Sequence, residues 1–313
     1  MRKTRRENRI GQGQKTRTGF HRFLKTAGSM LKGKKRLNRS RAANLSLFFF
    51  LFLIGIFMIL PLVYAVVNAF KPLEEFFIFP PRFYVAKPTL NNFLDLYKLA
   101  ANLWVPFSRY IFNSVYISVI ATIGHIFLAS TAAYVMAKHE FPGKKLLDAV
   151  IILSLLFTSR VIFIPQYIVL SKMGFINTHL ALIAPIFAMS IGIFLMRQFM
   201  VMVPDEIIES ARIDGAGEMK NCWQIVVPMV KPAIVTLVIF AFQAVWNNSG
   251  AGFIYTESLK VMPMVLTQIS AGGLARAGVG AAASLIMLIP PIILFVFFQS
   301  MIIETMSASG IKG

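Results

Sequence analysis

One cysteine, four histidines and thirteen acidic residues in 313 leave this chain little with which to do covalent or metal chemistry. Cys222 stands alone, which excludes an internal disulfide. His21, His125, His139 and His179 are scattered, and with one cysteine they give no metal-ligand spacing. No Ser/His/Asp or Cys/His set can be assembled, and there are neither paired aspartates nor an HExxH pattern. An enzymatic role therefore has no residues to rest on. A Gly-rich loop ending in Lys-Ser/Thr is missing too, so any nucleotide chemistry must belong to another polypeptide. We expect a chain with no catalytic residue, no metal and no cofactor of its own.

What is abundant is apolar. Hydrophobic residues make up 57% of the chain, where roughly 45–50% is ordinary for a soluble domain. A membrane span needs about 20 such residues, and the sequence offers runs at approximately 45–69, 110–136, 146–170, 180–202, 232–253 and 280–303. The first is too long, and its basic leader too extended, for a cleaved signal peptide. The expected fold is all-α, a polytopic membrane protein with six transmembrane helices and both termini cytoplasmic. Residues 1–44 form a separate basic tail, and residues 45–313 the membrane domain.

Charge sets the orientation. The tail holds 15 of the 32 Lys and Arg with Glu7 as its only acid, a net +14 against +5 for the rest. By the positive-inside rule it lies in the cytoplasm, as does the loop from Lys138 to Lys145 with its three lysines. Directly before a span, such a tail fits anionic lipid at the cytoplasmic face rather than nucleic acid. Phe20, Phe23, Leu24, Ala27 and Leu31 recur at helical spacing within it, compatible with an interfacial amphipathic helix or with a disordered arm. Residues 71–109, rich in Pro and Phe, should form an ordered external cap with short interfacial helices. Residues 254–279 should form a looped or partly re-entrant connection.

One long polar stretch interrupts the apolar part, from Pro204 to Gly217. Pro204 suits a first helical position, and Asp205 and Glu206 suit the positive end of a helix dipole. Ile207, Ile208 and Ala211 share a face. Gly215 can take the left-handed conformation that ends a helix, and Asp214 before it can brace the turn. Pro228 and Pro232 bracket the start of the next span. Such a helix, on the side the positive charges point to, is expected to meet a soluble partner.

The order of residues from Glu209-Ser210-Ala211 through Asp214, Gly215 and Ala216 to Ile225-Val226-Val227-Pro228 resembles the signature EAA loop of ABC importer permeases, with Ser210 where Ala is usual. The resemblance spans nearly all of residues 45–313. Pro88-Thr89-Leu90-Asn91-Asn92-Phe93, Asn113-Ser114, Ala133-Tyr134, Phe141-Pro142-Gly143, Trp246-Asn247 and the terminal Gly310-Ile311-Lys312-Gly313 are similar to the maltose-type carbohydrate branch. Asn177-Thr178 and Glu304-Thr305-Met306 lean toward relatives that import oligosaccharides or modified sugars. The basic tail departs from the family pattern. The resemblance implies a sugar importer subunit in the bacterial cytoplasmic membrane, with the loop at about 204–232 coupling it to a cytoplasmic ABC ATPase dimer that holds ATP and Mg. It also implies a second, homologous permease as heterodimer partner and an external sugar-binding protein.

For the substrate path the candidates are Arg160, costly in mid-bilayer unless it faces a cavity or partner, and Gln243, Trp246 and Asn247. Trp offers a flat face to sugar C–H groups, Asn both donor and acceptor, and Gln243 one turn earlier would share that face. Trp246 as an interfacial anchor and Arg160 as a packing contact are the competing readings. His125, Ser284 and Gln299 read as helix glue. The alternatives for the whole chain are a permease of the same family for a non-sugar solute, or an ion-coupled secondary transporter. The latter places carboxylates in mid-membrane, and the second, fourth and fifth spans carry none.

Overall fold

The computed structural model describes residues 41–101, 105–157 and 161–309, and the side-chain surroundings of 44–99, 105–157 and 161–301. The tail helix expected around Phe20 to Leu31, Arg160, and the terminal Gly310 to Gly313 lie outside the described residues. Every regular element among the described residues is helical, and no strand occurs there. Contacts divide the chain into Met1–Pro61 and Leu62–Gly313.

The first helix, α1 (Arg41–Ala69), runs from the first unit into the second. In its first-unit part, from Asn44 onward, no side chain is buried, and Leu, Phe and Ile point outward on every side. A helix apolar all round cannot face water; its solvent is lipid or another chain.

In the second unit follow α2 (Leu73–Phe76), α3 (Asn91–Ala101), α4 (Phe107–Lys138), α5 (Lys144–Ser154), α6 (Phe163–Lys172), α7 (Leu180–Phe187) and α8 (Ser190–Val201). Then come α9 (Asp205–Ile213), α10 (Glu218–Met229, its middle wound as a π-helix), α11 (Lys231–Trp246), α12 (Met262–Ser270) and α13 (Ala277–Ser309). Among the described residues four stretches are long and apolar enough to cross a membrane: Asn44–Ala69, Phe107–Lys138, Leu180–Val201 and Gly273–Met301. The run expected at 232–253 ends at Trp246 and reaches span length only together with α10, across an 87° bend at Val230. The run expected at 146–170 is two short helices, α5 and α6, because α5 stops in successive turns at Leu155 and Leu156. The described residues thus hold four candidate spans, or five with the bent pair.

The centre of the second unit is α4, which packs against α7, α8 and α11. Small residues let the backbones close: Ala121, Ala129 and Ala133 are fully buried. A Cβ on Gly192 would sit 2.1 Å from His125 Nε2, and one on Gly124 only 2.3 Å from the Phe187 ring. His125, fully buried at this crossing, faces the break between α7 and α8.

At one end of α4, polar side chains clasp loops. Asn113 Nδ2 donates to the carbonyls of Ser258 (2.8 Å) and Lys260 (2.9 Å), and Ser114 Oγ accepts from Met262 N. Asn177, at φ +60°, accepts through Oδ1 from the Tyr255 and Thr256 backbone. Asn92 Nδ2 donates to the carbonyls of Ala69 and Lys71, closing the end of α1. Residues 71–109 do carry the short helices expected there, α2 and α3, and the connection 254–279 is partly helical through α12.

Candidate functional site

At the opposite end of α4 lies the polar stretch. Its helix α9 starts at Asp205, one residue later than the sequence suggests; Pro204 is the extended cap residue before it. Asp205 and Glu206 occupy the first turn and Arg212 the last, each favourable to the helix dipole. The helix ends in a Schellman closure: Ala216 N donates to Ala211 O (2.9 Å) and Gly215 N to Arg212 O (3.0 Å), with Gly215 at φ +83°. The Asp214 carboxylate makes no hydrogen bond among the described residues, so the backbone alone braces the turn. Ser210 Oγ donates back to the Glu206 carbonyl.

Of the expected apolar face only Ile208 is buried, at 3% exposure, in a cluster with Tyr134, Val203, Cys222 and Val226. Ala211 is half-buried and Ile207 exposed. Ile213 is 87% exposed, and Met202 and Met219 are exposed as well. Glu209, Ser210, Asp214 and Gly215 are exposed and Ala216 half-buried. The outer face of α9 is therefore a compact, mixed apolar and acidic surface. Pro228 is exposed just before the bend.

Two polar ties fix α9 to the end of α4. Lys138 Nζ, its side chain only 4% exposed, donates to the Val203 carbonyl and to Asp205 Oδ1 (2.7 Å). A buried ammonium is costly unless both paired and hydrogen-bonded, so these acceptors hold the start of α9 in place. This hydrogen bond and charge hold the Asp205 carboxyl below its ordinary range. At the other end, Glu218 gathers three donors. Arg212 Nε and Nη2 donate to its Oε1 (3.0 and 2.8 Å), Tyr134 Oη donates to Oε2 (2.8 Å), and His139 Nε2 lies 3.2 Å from Oε2. Its carboxylate also pushes the Arg212 guanidinium above its ordinary value. Phe127 stacks on Trp223, with centroids 5.0 Å apart, which joins α4 to α10 as well.

The residues proposed from sequence for a substrate path do not all meet. Gln243 and Asn247 line a cavity of about 970 Å³. Trp246 does not: it is 3% exposed, stacks on Phe242, and donates its indole N–H to the Met287 carbonyl of α13 (3.0 Å). One-residue offset on a helix turns a side chain by about 100°, so the stretch splits between two faces. The cavity adds residues the sequence did not single out: Gln166 and Phe163 from α6, and Asn248, Ser249 and Phe253 from the loop after α11. Nothing local in the sequence marks Gln166, which joins the site only because α6 lies beside α11. Ser284 donates within its own helix, to the Gly280 carbonyl, and Gln299 is exposed. Among the described residues no cluster of three or more His, Cys, Asp or Glu could hold a metal.

Residues 125–307 match the family model described as "Binding-protein-dependent transport system inner membrane component". The chain is 27% identical over 268 residues to the arabinooligosaccharides transport system permease protein AraQ of Halalkalibacterium halodurans, covering 83% of this chain and 93% of that one. It is 32% identical to protein LplC of Bacillus subtilis, covering 69% and 72%. With the sn-glycerol-3-phosphate transport system permease protein UgpE of Yersinia enterocolitica it shares 29%, over 79% and 90%. Among solved structures it resembles a chain of a bacterial ABC transporter involved in the import of the acidic polysaccharide alginate, with a TM-score of 0.68, 18% identity, and coverage of 85% and 99%.

Proposed function

Because the chain belongs to the family of binding-protein-dependent transport system inner membrane components, we propose that it is one of two homologous permease subunits of an ATP-driven sugar importer, working as a heterodimer. Helix α9 and its closure at Gly215 are the coupling element, and Glu209, Ser210, Ala211, Asp214, Gly215, Ala216 and Pro228 shape it for a groove on a cytoplasmic ATPase dimer. ATP and Mg act there. An external binding protein delivers the solute, and the similarity to an arabinooligosaccharide permease and to an alginate importer favours a saccharide.

In this reading six segments cross the bacterial cytoplasmic membrane, with α5 and α6 as a broken third span and both termini inside. The basic tail lies against anionic lipid. The substrate path runs past Gln243 and Asn247, with Trp246 as a rigid support behind them, and Arg160 is the further candidate for it. The observation that carries the proposal is the outer face of α9, exposed and yet tied at both ends to α4, the central helix of the packed unit.

The test is transport by the complete complex. Gly215→Asp puts a Cβ into a left-handed conformation at a cost of about 1–2 kcal/mol, and Glu209→Lys reverses an exposed charge. Both should abolish ATP-dependent uptake while the subunit remains in the membrane. Ordinary uptake by either variant overturns the coupling role.

A further inference from the structure

We propose that the turn from Phe77 to Tyr84 is a lipid anchor, seated in the headgroup region of the outer leaflet and pinned there by Lys71. The anchor requires only that α1 crosses the bilayer and that the chain leaves it on the external side; which solute the subunit carries is immaterial to it. Every residue of the turn, Phe77-Ile78-Phe79-Pro80-Pro81-Arg82-Phe83-Tyr84, is exposed, and Phe79 reaches 89%. All but Arg82 are apolar or aromatic, and a continuous apolar surface of this kind calls for a partner other than water.

Geometry selects the partner. The segment leaves α1 and returns to it: Thr89 N donates to the Phe70 carbonyl (2.9 Å), and Asn92 clasps Ala69 and Lys71. Between these points the turn folds back along the helix, since the Phe83 ring packs on Tyr64 with centroids 5.5 Å apart. Tyr64 lies about 7.5 Å down the helix axis from Ala69. The span Asn44–Ala69 has 26 residues, about 39 Å of helix against about 30 Å of hydrocarbon, so a few Å at each end lie outside the core. Tyr64 therefore stands near the edge of the hydrocarbon, and the turn beside it lies at headgroup depth.

Buried charge holds this posture. Lys71 is 2% exposed; its Nζ donates to the Arg82 carbonyl (2.8 Å) and lies 5.8 and 5.7 Å from the centroids of Tyr64 and Phe76. A buried ammonium must keep its acceptor, so the Arg82 backbone cannot lift away without stranding it. Glu75, buried as well, accepts from Ala86 N (3.2 Å) and Lys87 N (3.0 Å) and so fixes the returning segment. The composition suits a bilayer interface, where aromatic rings are enriched and a long cationic side chain keeps its stem in apolar surroundings and its head in water. Arg82, its guanidinium 5.7 Å from the Tyr84 centroid, and Tyr84 mark the wet rim. Phe77 and Phe79 form the side that enters lipid.

The experiment uses the complete complex in nanodiscs, with cysteine-free partner subunits and a polarity-sensitive fluorophore on the thiol of Phe79→Cys. The native Cys222 is buried, and the unsubstituted complex gives the background. Lipid bearing a nitroxide high on its acyl chain should quench the label strongly and aqueous iodide weakly, and saturating binding protein should change neither. Lys71→Met in the same complex should lose lipid quenching and gain iodide quenching. Strong quenching by iodide alone overturns the anchor. Quenching by neither reagent places the turn in a subunit seam, and loss of lipid quenching on adding the binding protein makes it that protein's dock; either result overturns the proposal. Lipid quenching retained in Lys71→Met overturns the pin. A complex that carries no sugar would still report lipid contact here, so this outcome is separate from the Gly215→Asp test of uptake.

Discussion

Glu218 is one carboxylate serving three elements: Arg212 closes α9, Tyr134 belongs to α4, and His139 follows it. Removing it leaves a guanidinium and a partly buried hydroxyl without their acceptor, which costs more than the bonds themselves. Glu218→Ala should lower binding-protein-stimulated ATP hydrolysis roughly tenfold, with Glu218→Asp in between; an unaltered rate in the Ala variant would show that α9 needs no tie at this end. Asp205 makes a prediction in pH. A carboxyl lowered on folding contributes stability above its unfolded pKa, and loses it only as the pH falls through the folded value. The Lys138–Asp205 tie should therefore hold from about pH 7 down to about pH 5 and fail only below the ordinary carboxylate range near 4. Comparing Asp205→Asn with the wild type across that range should show a constant ratio of stimulated hydrolysis, narrowing only at the acid end. Gly215 was readable in the sequence, because a glycine after an amphipathic turn has one main use. Glu218 was not: its partner Tyr134 lies 84 residues away, and nothing local ties the two.

At the scale of elements, apolar runs showed where helices form but not where they break. Runs 45–69, 110–136, 180–202 and 280–303 have matching helices. The runs at 146–170 and 232–253 do not stay whole: the first breaks in the turns at Leu155 and Leu156, and the second bends at Val230, between Pro228 and Pro232. The split of Trp246 from Gln243 and Asn247 has another origin: helical spacing puts neighbours on different faces, and which face meets the cavity depends on α6 and α13. The α4–α8 crossing makes its own prediction. Gly192→Ala would drive a methyl into His125 and Leu237, a misfit of about 1–3 kcal/mol. Thermal unfolding of the purified subunit should move down accordingly. His125→Ala in addition should recover part of the loss, but not all, because Leu237 Cδ1 still lies 2.8 Å from the added carbon. A wild-type melting temperature in Gly192→Ala would mean that the two helices do not approach this closely.

For the whole molecule, composition and the Glu209-to-Pro228 order were enough to reach the family, while the path of the chain through the bilayer turns on one broken segment. Between Tyr84 and Ser210 lie α4, the α5–α6 pair and the Leu180–Val201 span. If the pair crosses, three crossings separate the two residues and they lie on opposite sides; if it does not, they share a side. Cysteines introduced at these exposed positions, read with a membrane-impermeant maleimide, should label from opposite faces, and labelling from one face would refute six spans. The native Cys222 is buried and should stay silent in the assay. The polar ties around α9 also bear on how the subunit is made. They join residues 134–139 to residues 203–218, so α9 can take its place only after everything between, the Leu180–Val201 span included, has been inserted. A chain arrested or misthreaded in that interval leaves α9 unseated, so under the coupling role proposed above the order of synthesis itself would keep an immature subunit from presenting a finished docking surface.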